Sequence, residues 1–116
     1  MRFTGIMPAL ITPLTSEGKL NRNVLERLIE DLIAQGADGF YVGGATGEGI
    51  ILDADVHKEL ITESIKIIAG RVPCIVHIAR MNYHEMLDLA RHAEAAGADA
   101  ISAIPPLFYS YDHQAI

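Results

Sequence analysis

The residues best suited to do chemistry form the segment Gly-Gly-Ala-Thr-Gly-Glu-Gly at residues 43–49, which we call the glycine loop. It directly follows the apolar run 40–42, which predicts a position at the carboxyl end of a β-strand. Glycine lets the backbone approach a ligand closely, and unpaired amide N–H groups attract an anion without adding a charged side chain. A helix that starts nearby would add a partial positive charge. The glycine loop therefore predicts a site for a small anion such as a carboxylate.

Composition and charge exclude several classes of protein. Half of the 116 residues are hydrophobic and 21% are charged, which is typical of a folded domain. The formal net charge is −6 and the nine Lys and Arg form no basic run, so we expect no nucleic-acid partner. No apolar segment approaches the roughly 20 residues of a membrane span. The short N-terminal apolar run contains Pro8 and predicts a strand rather than a signal peptide, so we expect a cytoplasmic protein without a membrane partner.

The histidines and the cysteine do not form a metal site. No two histidines are spaced four residues apart, and none lies in a carboxylate cluster with ligand spacing, so we expect neither a metal nor a cofactor. His57, His84 and His92 are predicted on exposed helix faces, and His113 joins no cluster. His77 lies in a predicted strand, where a hydrogen-bonded core histidine is expected. Cys74 is expected to be a buried, reduced thiol.

Other polar residues near the glycine loop carry structural expectations. Glu48 would repel an anion, so it is expected to turn away and hydrogen-bond the backbone or a neighbouring strand. Arg80, at the end of a predicted strand, is expected to be a solvated surface residue, with anion binding as the alternative. Tyr83, Tyr109 and Tyr111 are expected on loops or helix starts, where they could serve an interface.

Short β-branched runs alternate with longer segments of helical periodicity along the chain. Strands are predicted at residues 5–11, 37–42, 73–78 and 98–104. Helices are predicted at residues 21–35, from Asp53 to Gly70 and from Asn82 to Gly97, and another is expected to start at Asp112. Residues 34–40 and 95–101 repeat the same order of helix end, glycine and strand start, which is typical of a fold built from βα units.

This alternation predicts an α/β fold with a parallel sheet covered on both faces. A nucleotide-binding fold is disfavoured, because Gly-x-Gly-x-x-Gly does not follow the first strand and the P-loop lysine is absent. The remaining architecture is a (β/α)₈ barrel, which takes about 250 residues. We therefore predict that residues 1–116 are one incomplete barrel domain, the N-terminal portion of about four βα units. A half-barrel that closes by dimerising is the alternative.

Three motifs resemble the N-acetylneuraminate lyase/dihydrodipicolinate synthase family: Met-Pro-Ala-Leu-Ile-Thr-Pro-Leu at 7–14, Tyr-Val-Gly-Gly-Ala-Thr-Gly-Glu at 41–48, and Ile-Pro-Pro-Leu-Phe-Tyr at 104–109. The resemblance spans essentially the whole chain. The Val-Gly-Gly form of the loop and Ser-Ala-Ile-Pro-Pro at 102–106 resemble the neuraminate lyase branch.

The resemblance implies a class I aldolase in a TIM barrel, which is expected to be a homotetramer acting on small molecules. A lysine would form a Schiff base with pyruvate and a tyrosine would shuttle the proton, so that N-acetylneuraminate yields pyruvate and N-acetylmannosamine. The alternatives are a 4-hydroxy-tetrahydrodipicolinate synthase, another pyruvate-dependent sugar-acid aldolase, and a non-catalytic member that binds a carboxylate.

The resemblance also implies roles for particular residues. Thr46 and the backbone amides of Ala45 and Gly47 would hold the pyruvyl carboxylate. Family members usually have Ser or Thr at the position of Ala45, where the hydroxyl belongs to a proton relay or a substrate contact. Phe108 stands where many members have a relay tyrosine that reaches a neighbouring subunit. A shift of one residue would bring Tyr109 there, and packing of both at an interface is the alternative.

The resemblance places the Schiff-base lysine and its tyrosine beyond Ile116. The lysines of this chain do not match that role, because Lys19 lies in a polar loop and both Lys58 and Lys66 are predicted on the solvated face of a helix. The chain as given is therefore expected to lack lyase activity.

Overall fold

The structure, a computed structural model, describes residues 3–105, 110 and 112–114. Its elements, in chain order, are α1 (Arg22–Ala34), β1 (Phe40–Val42), a 3₁₀ helix (Gly49–Ile51), α2 (Ala54–Ile68), β2 (Cys74–His77), α3 (Tyr83–Ala96) and β3 (Ala100–Ser102). The predicted alternation of strands and helices is confirmed. Phe108, Tyr109 and Tyr111 lie outside the described residues. Only residues 112–114 of the expected last helix are described, and they contain a turn.

The three strands form one parallel sheet in the order β1-β2-β3. The predicted strand 5–11 is reduced to an isolated parallel bridge between Ala9 and Tyr41. In that bridge the Tyr41 amide donates to the Pro8 carbonyl at 3.0 Å, and the Leu10 amide donates to the Tyr41 carbonyl at 2.9 Å. In a parallel ladder every second residue of this segment would donate its amide to β1. The donor before Leu10 would be Pro8, which has no N–H. The ladder therefore stops there.

The two faces of the sheet differ. The face that carries Phe40, Val42, Cys74 and Val76 is buried in one core cluster with apolar residues of the helices. These helix residues include Leu25, Ile29, Leu60, Ile61 and Leu89. On the opposite face Tyr41 and Ile75 are only partly buried. Within the part of the chain that the structure describes, the predicted covering is therefore complete on one face and partial on the other.

The repeated segments at 34–40 and 95–101 form the same structure twice. Gly36 and Gly97 both have φ of +96°, and the next amide closes the end of the preceding helix in each repeat. The aspartate that follows then accepts a backbone N–H from an adjacent extended segment: Asp38 from Ile6 and Asp99 from Cys74, both at 2.8 Å. This geometry shortens the predicted strands, because their first residues belong to the helix ends.

The helix starts follow the predicted caps. The Asn21 side chain accepts from the Val24 amide at 3.2 Å, and the Asn82 side chain accepts from the amides of His84 and Glu85. Asp53 is the N-cap residue of α2, although its side chain makes no capping hydrogen bond.

Candidate ligand-binding site at the carboxyl end of the sheet

The glycine loop follows the carboxyl end of β1, as predicted. It is held by hydrogen bonds from the Glu48 amide to the Ala45 carbonyl at 3.0 Å and from the Gly49 amide to the Gly44 carbonyl at 3.2 Å. Within the described residues, the amides of Ala45, Thr46 and Gly47 donate no hydrogen bond. Three consecutive backbone donors are therefore unpaired within the part of the chain that the structure describes, and the Thr46 side chain beside them is exposed.

The glycines of this loop are required by close packing. A Cβ at Gly49 would lie 1.9 Å from the Gly43 carbonyl oxygen, and one at Gly44 would lie 2.4 Å from Cε1 of Tyr41. Gly43 has φ of +73°, and a Cβ there would lie 2.7 Å from Nε2 of His57. The loop thus folds back on itself and packs against both the sheet and α2 without room for side chains.

A cavity of about 430 Å³ adjoins the loop. It is lined by Ala9, Tyr41, Gly44, Ala45, Thr46, Glu48, Ile50, His77 and Ile104. This volume is typical of sites for small molecules. None of these lining residues is Lys or Arg, so recognition of an anion here would depend on the loop amides, hydroxyl groups and the imidazole.

Glu48 does not behave as expected. It lines the cavity, is exposed, and has a left-handed backbone with φ of 55°. Its carboxylate makes no hydrogen bond to any described residue, so the expectation of a structural hydrogen bond is wrong. The left-handed conformation begins the 3₁₀ helix, since the Glu48 carbonyl accepts from the Ile51 amide at 3.1 Å.

The expectation that Arg80 is a solvated surface residue is also wrong. Its side chain is only 9% exposed, and Nη1 donates to the carbonyls of Gly49 at 2.9 Å and Leu52 at 2.5 Å. Its Nε donates to Glu85 at 3.2 Å. Arg80, which follows β2, therefore connects to the segment after the glycine loop by two hydrogen bonds to its backbone.

The expectation that His57 is exposed is wrong as well. Its side chain is fully buried in α2, and its Nε2–H donates to the His77 carbonyl at 3.0 Å. Burial lowers the pKa of His57 to about 4. A signal was present in the sequence, because His57 precedes the buried residues Ile61, Ser64 and Ile68 at helical spacing.

His77 is a buried, hydrogen-bonded histidine, as predicted, and burial lowers its pKa. Its Nδ1 lies 2.8 Å from the Tyr41 hydroxyl and 3.0 Å from the Ser102 hydroxyl, and the two hydroxyl oxygens are 2.5 Å apart. We call these three residues the polar triangle. The sequence reasoning did not single out Tyr41 or Ser102, although each is a polar residue in an otherwise apolar strand.

The other candidates lie away from the cavity. Lys66 is exposed, and the partly exposed Lys58 pairs with Asp88, so the prediction of a solvated helix face is confirmed for both. His84 is exposed, whereas His92 is half-buried between α2 and α3 and lies 2.7 Å from the Thr62 hydroxyl, contrary to expectation.

Cys74 is buried, as predicted, and burial raises the pKa of its thiol to about 12. The described residues contain no group of three or more His, Cys, Asp or Glu that could hold a metal. None of the described helices is both long and apolar enough to cross a membrane.

Comparison with known proteins identifies relatives that match almost the whole of this chain. The profile of the dihydrodipicolinate synthetase family matches residues 2–116. An N-acetylneuraminate lyase from Citrobacter koseri is 38% identical over 95% of this chain and 37% of its own length. A 4-hydroxy-tetrahydrodipicolinate synthase from Roseobacter denitrificans is 41% identical over 91% of this chain and 36% of its own length. The chain thus spans a little over a third of the length of these curated relatives.

Solved structures show the same fold. The N-acetylneuraminate lyase from Mycoplasma synoviae superposes with a TM-score of 0.90 at 36% identity, over 97% of this chain and 39% of the other. A prophage protein of the dihydrodipicolinic acid synthase family from E. coli K12, solved in complex with pyruvate, gives a TM-score of 0.90 at 35% identity, over 95% of this chain and 37% of the other. The likeness confirms the α/β class and the predicted relation to part of a (β/α)₈ barrel. With its family match over residues 2–116, this chain belongs to the dihydrodipicolinate synthetase family.

Proposed function

We propose that this chain is the N-terminal portion of a cytoplasmic, homotetrameric class I aldolase that joins pyruvate to an aldehyde or cleaves the product. The observation that carries the proposal is the row of three amides at residues 45–47 that donate to no described residue. This row adjoins the cavity of about 430 Å³ at the carboxyl end of β1. The sites of (β/α)₈ barrels lie at this end of the strands. The names of the relatives, N-acetylneuraminate lyase and 4-hydroxy-tetrahydrodipicolinate synthase, support the reaction class.

In this proposal the pyruvyl carboxylate accepts hydrogen bonds from the amides of Ala45 and Gly47 and from Thr46. The reaction proceeds through a Schiff base between the pyruvyl carbonyl and a lysine, which acts as an electron sink for the carbon–carbon bond. The loop contributes by holding the carboxylate, which orients the imine relative to the bond that breaks. The lysines of this chain do not line the cavity, so the Schiff-base lysine is assigned to a position beyond Ile116. The resemblance to the family assigns the tyrosine that moves the proton to the same later part of the protein.

N-acetylneuraminate is the substrate that we favour, because the Tyr-Val-Gly-Gly sequence at 41–44 resembles the neuraminate lyase branch. Synthesis of 4-hydroxy-tetrahydrodipicolinate, or action on another sugar acid, is the alternative. A non-catalytic protein that binds a carboxylate is a second candidate, and Ala45 favours it because alanine cannot supply the hydroxyl that family members usually have there.

The test uses the complete protein in which this chain occurs. Borohydride reduction in the presence of pyruvate should leave a covalent adduct on one lysine, and Thr46→Val should weaken pyruvate binding about tenfold, the effect of losing one hydrogen bond to a charged group. Thr4→Val, at an exposed position away from the cavity, is the matched control and should bind normally. Binding without an adduct would favour the non-catalytic candidate, and the absence of both would overturn the proposal.

A further inference from the structure

The polar triangle is a second polar feature of the cavity wall, distinct from the glycine loop. Tyr41, His77 and Ser102 come from three adjacent strands, β1, β2 and β3, and Tyr41 and His77 also line the cavity. The Tyr41 ring packs against Gly44, where a Cβ would lie 2.4 Å from Cε1. The triangle and the glycine loop are therefore parts of one packed unit.

The protons of the triangle can be counted. If His77 carries its proton on Nε2, one hydroxyl donates to the other and the second donates to Nδ1, so both hydroxyl protons are used inside the triangle. If the proton is on Nδ1, the ring donates to one hydroxyl, and one hydroxyl proton is left without an acceptor in the triangle. Each arrangement makes two hydrogen bonds inside the triangle and leaves one donor unused. In the first, the unused donor is the ring Nε2–H rather than a hydroxyl proton of the partly buried triangle, so we assign the Nε2–H tautomer. Burial also lowers the pKa of His77, which favours the neutral ring.

The remaining donor is then the Nε2–H of His77. This nitrogen makes no hydrogen bond to a described residue. Among the described residues, the buried side-chain atoms without a partner are Nδ1 of His57 and Oγ of Ser64, so Nε2 of His77 is not fully buried. Since His77 is 6% exposed and lines the cavity, we infer that its Nε2–H faces the cavity.

We propose that the polar triangle fixes His77 as a hydrogen-bond donor whose Nε2–H binds an oxygen of the same oxo acid whose carboxylate the glycine loop holds. The identity of this ligand rests on the proposed function. His77 is thus a ligand-binding residue, whereas Tyr41 and Ser102 are positioning residues that fix its tautomer and ring orientation. The cavity would recognise its ligand with neutral donors only, which agrees with the absence of Lys and Arg from its lining residues.

Two substitutions of His77 separate the roles of its nitrogens in the complete protein. The amide of His77→Asn reaches the position of Nδ1, so it keeps a partner for the two hydroxyls and removes the cavity donor. The amide of His77→Gln reaches the position of Nε2, so it keeps the cavity donor and leaves the triangle. We expect pyruvate binding, measured by calorimetry, to weaken about tenfold in His77→Asn and at most threefold in His77→Gln. Equal binding by His77→Asn and the unmodified protein would overturn the proposal.

A measurement on the unmodified protein does not depend on whether the variants fold. Nitrogen-15 NMR of the imidazole should show His77 as the Nε2–H tautomer, and saturating pyruvate should shift the Nε2 resonance more than that of Nδ1. An Nδ1–H tautomer, or pyruvate binding that leaves His77 unchanged, would overturn this inference alone. If the unmodified protein does not bind pyruvate, the proposed function and the ligand named here are overturned. The tautomer of His77 would then still test the hydrogen-bond assignment.

Discussion

Arg80 offers the sharpest test of how the cavity region is held together. Its guanidinium donates to two backbone carbonyls, those of Gly49 and Leu52, at the point where the chain leaves the glycine loop. The Gly49 carbonyl also accepts from the Leu52 amide at 3.3 Å, whereas Arg80 is the only donor to the Leu52 carbonyl among the described residues. Replacement by methionine keeps an apolar stem and removes both hydrogen bonds.

The expected size of the effect follows from these contacts. A hydrogen bond that involves a charged group contributes about 1.5–3 kcal/mol, and the pair with the half-exposed Glu85 adds at most about 1 kcal/mol. Part of the loss is offset, because the Gly49 carbonyl keeps a second donor. We therefore expect Arg80→Met to lower the free energy of local opening around residues 49–52 by about 3 kcal/mol, which is roughly a hundredfold in the opening equilibrium.

Amide hydrogen exchange measures this opening directly. The amides of Ile51 and Leu52, which donate to the Glu48 and Gly49 carbonyls, should exchange about a hundred times faster in Arg80→Met. Arg22→Met is the matched control, because Arg22 is a 45% exposed side chain that pairs with Glu26 and Glu63 of the helices, so its loss should leave these two amides unchanged. Exchange of these amides in Arg80→Met within threefold of the unmodified protein would refute the conclusion that Arg80 holds residues 49–52 in place.

Two further predictions concern backbone packing and pH. Gly49→Ala should lower the free energy of unfolding, measured in urea, by about 3 kcal/mol, because the new Cβ would lie 1.9 Å from the Gly43 carbonyl oxygen. Gly70→Ala is the control and should lose only about 1 kcal/mol, because a Cβ there has nothing within 4 Å. Equal losses in the two variants would contradict the packing argument. Burial lowers the pKa of His57 from 6.5 to about 4, so the native state favours the neutral ring. The contribution of His57 to the free energy of unfolding is therefore complete above pH 6.5, and about 3 kcal/mol of it should be lost as the pH drops to 4. His57→Gln, which keeps a donor for the His77 carbonyl but does not ionise, should lose most of this dependence, and an unchanged pH profile would rule out His57 as its source.

Local sequence patterns were enough to predict the elements and the place of the glycine loop. Helix periodicity and caps act over a few residues, so Asn21, Asn82 and Gly97 mark boundaries that the structure confirms. The same holds for glycines after an apolar run, which indicate a turn at a strand end whatever surrounds it. The strands predicted to start at Ala37 and Ala98 are shorter than expected at their first residues, because the amides of these two residues close the preceding helices.

The sequence alone thus determined the α/β alternation, the family and the position of the glycine loop, since each of these depends on the order of residues within short segments of the chain. The tertiary structure decided which polar side chains surround the cavity. Tyr41 and Ser102 are 61 positions apart, and only the register of three parallel strands brings their hydroxyls to the same nitrogen of His77. Arg80 and His57 were placed on the surface because polarity alone predicts exposure. His57 is buried and the Arg80 side chain is only 9% exposed, because backbone carbonyls near the loop accept their N–H groups, and that pairing exists only once the segments meet.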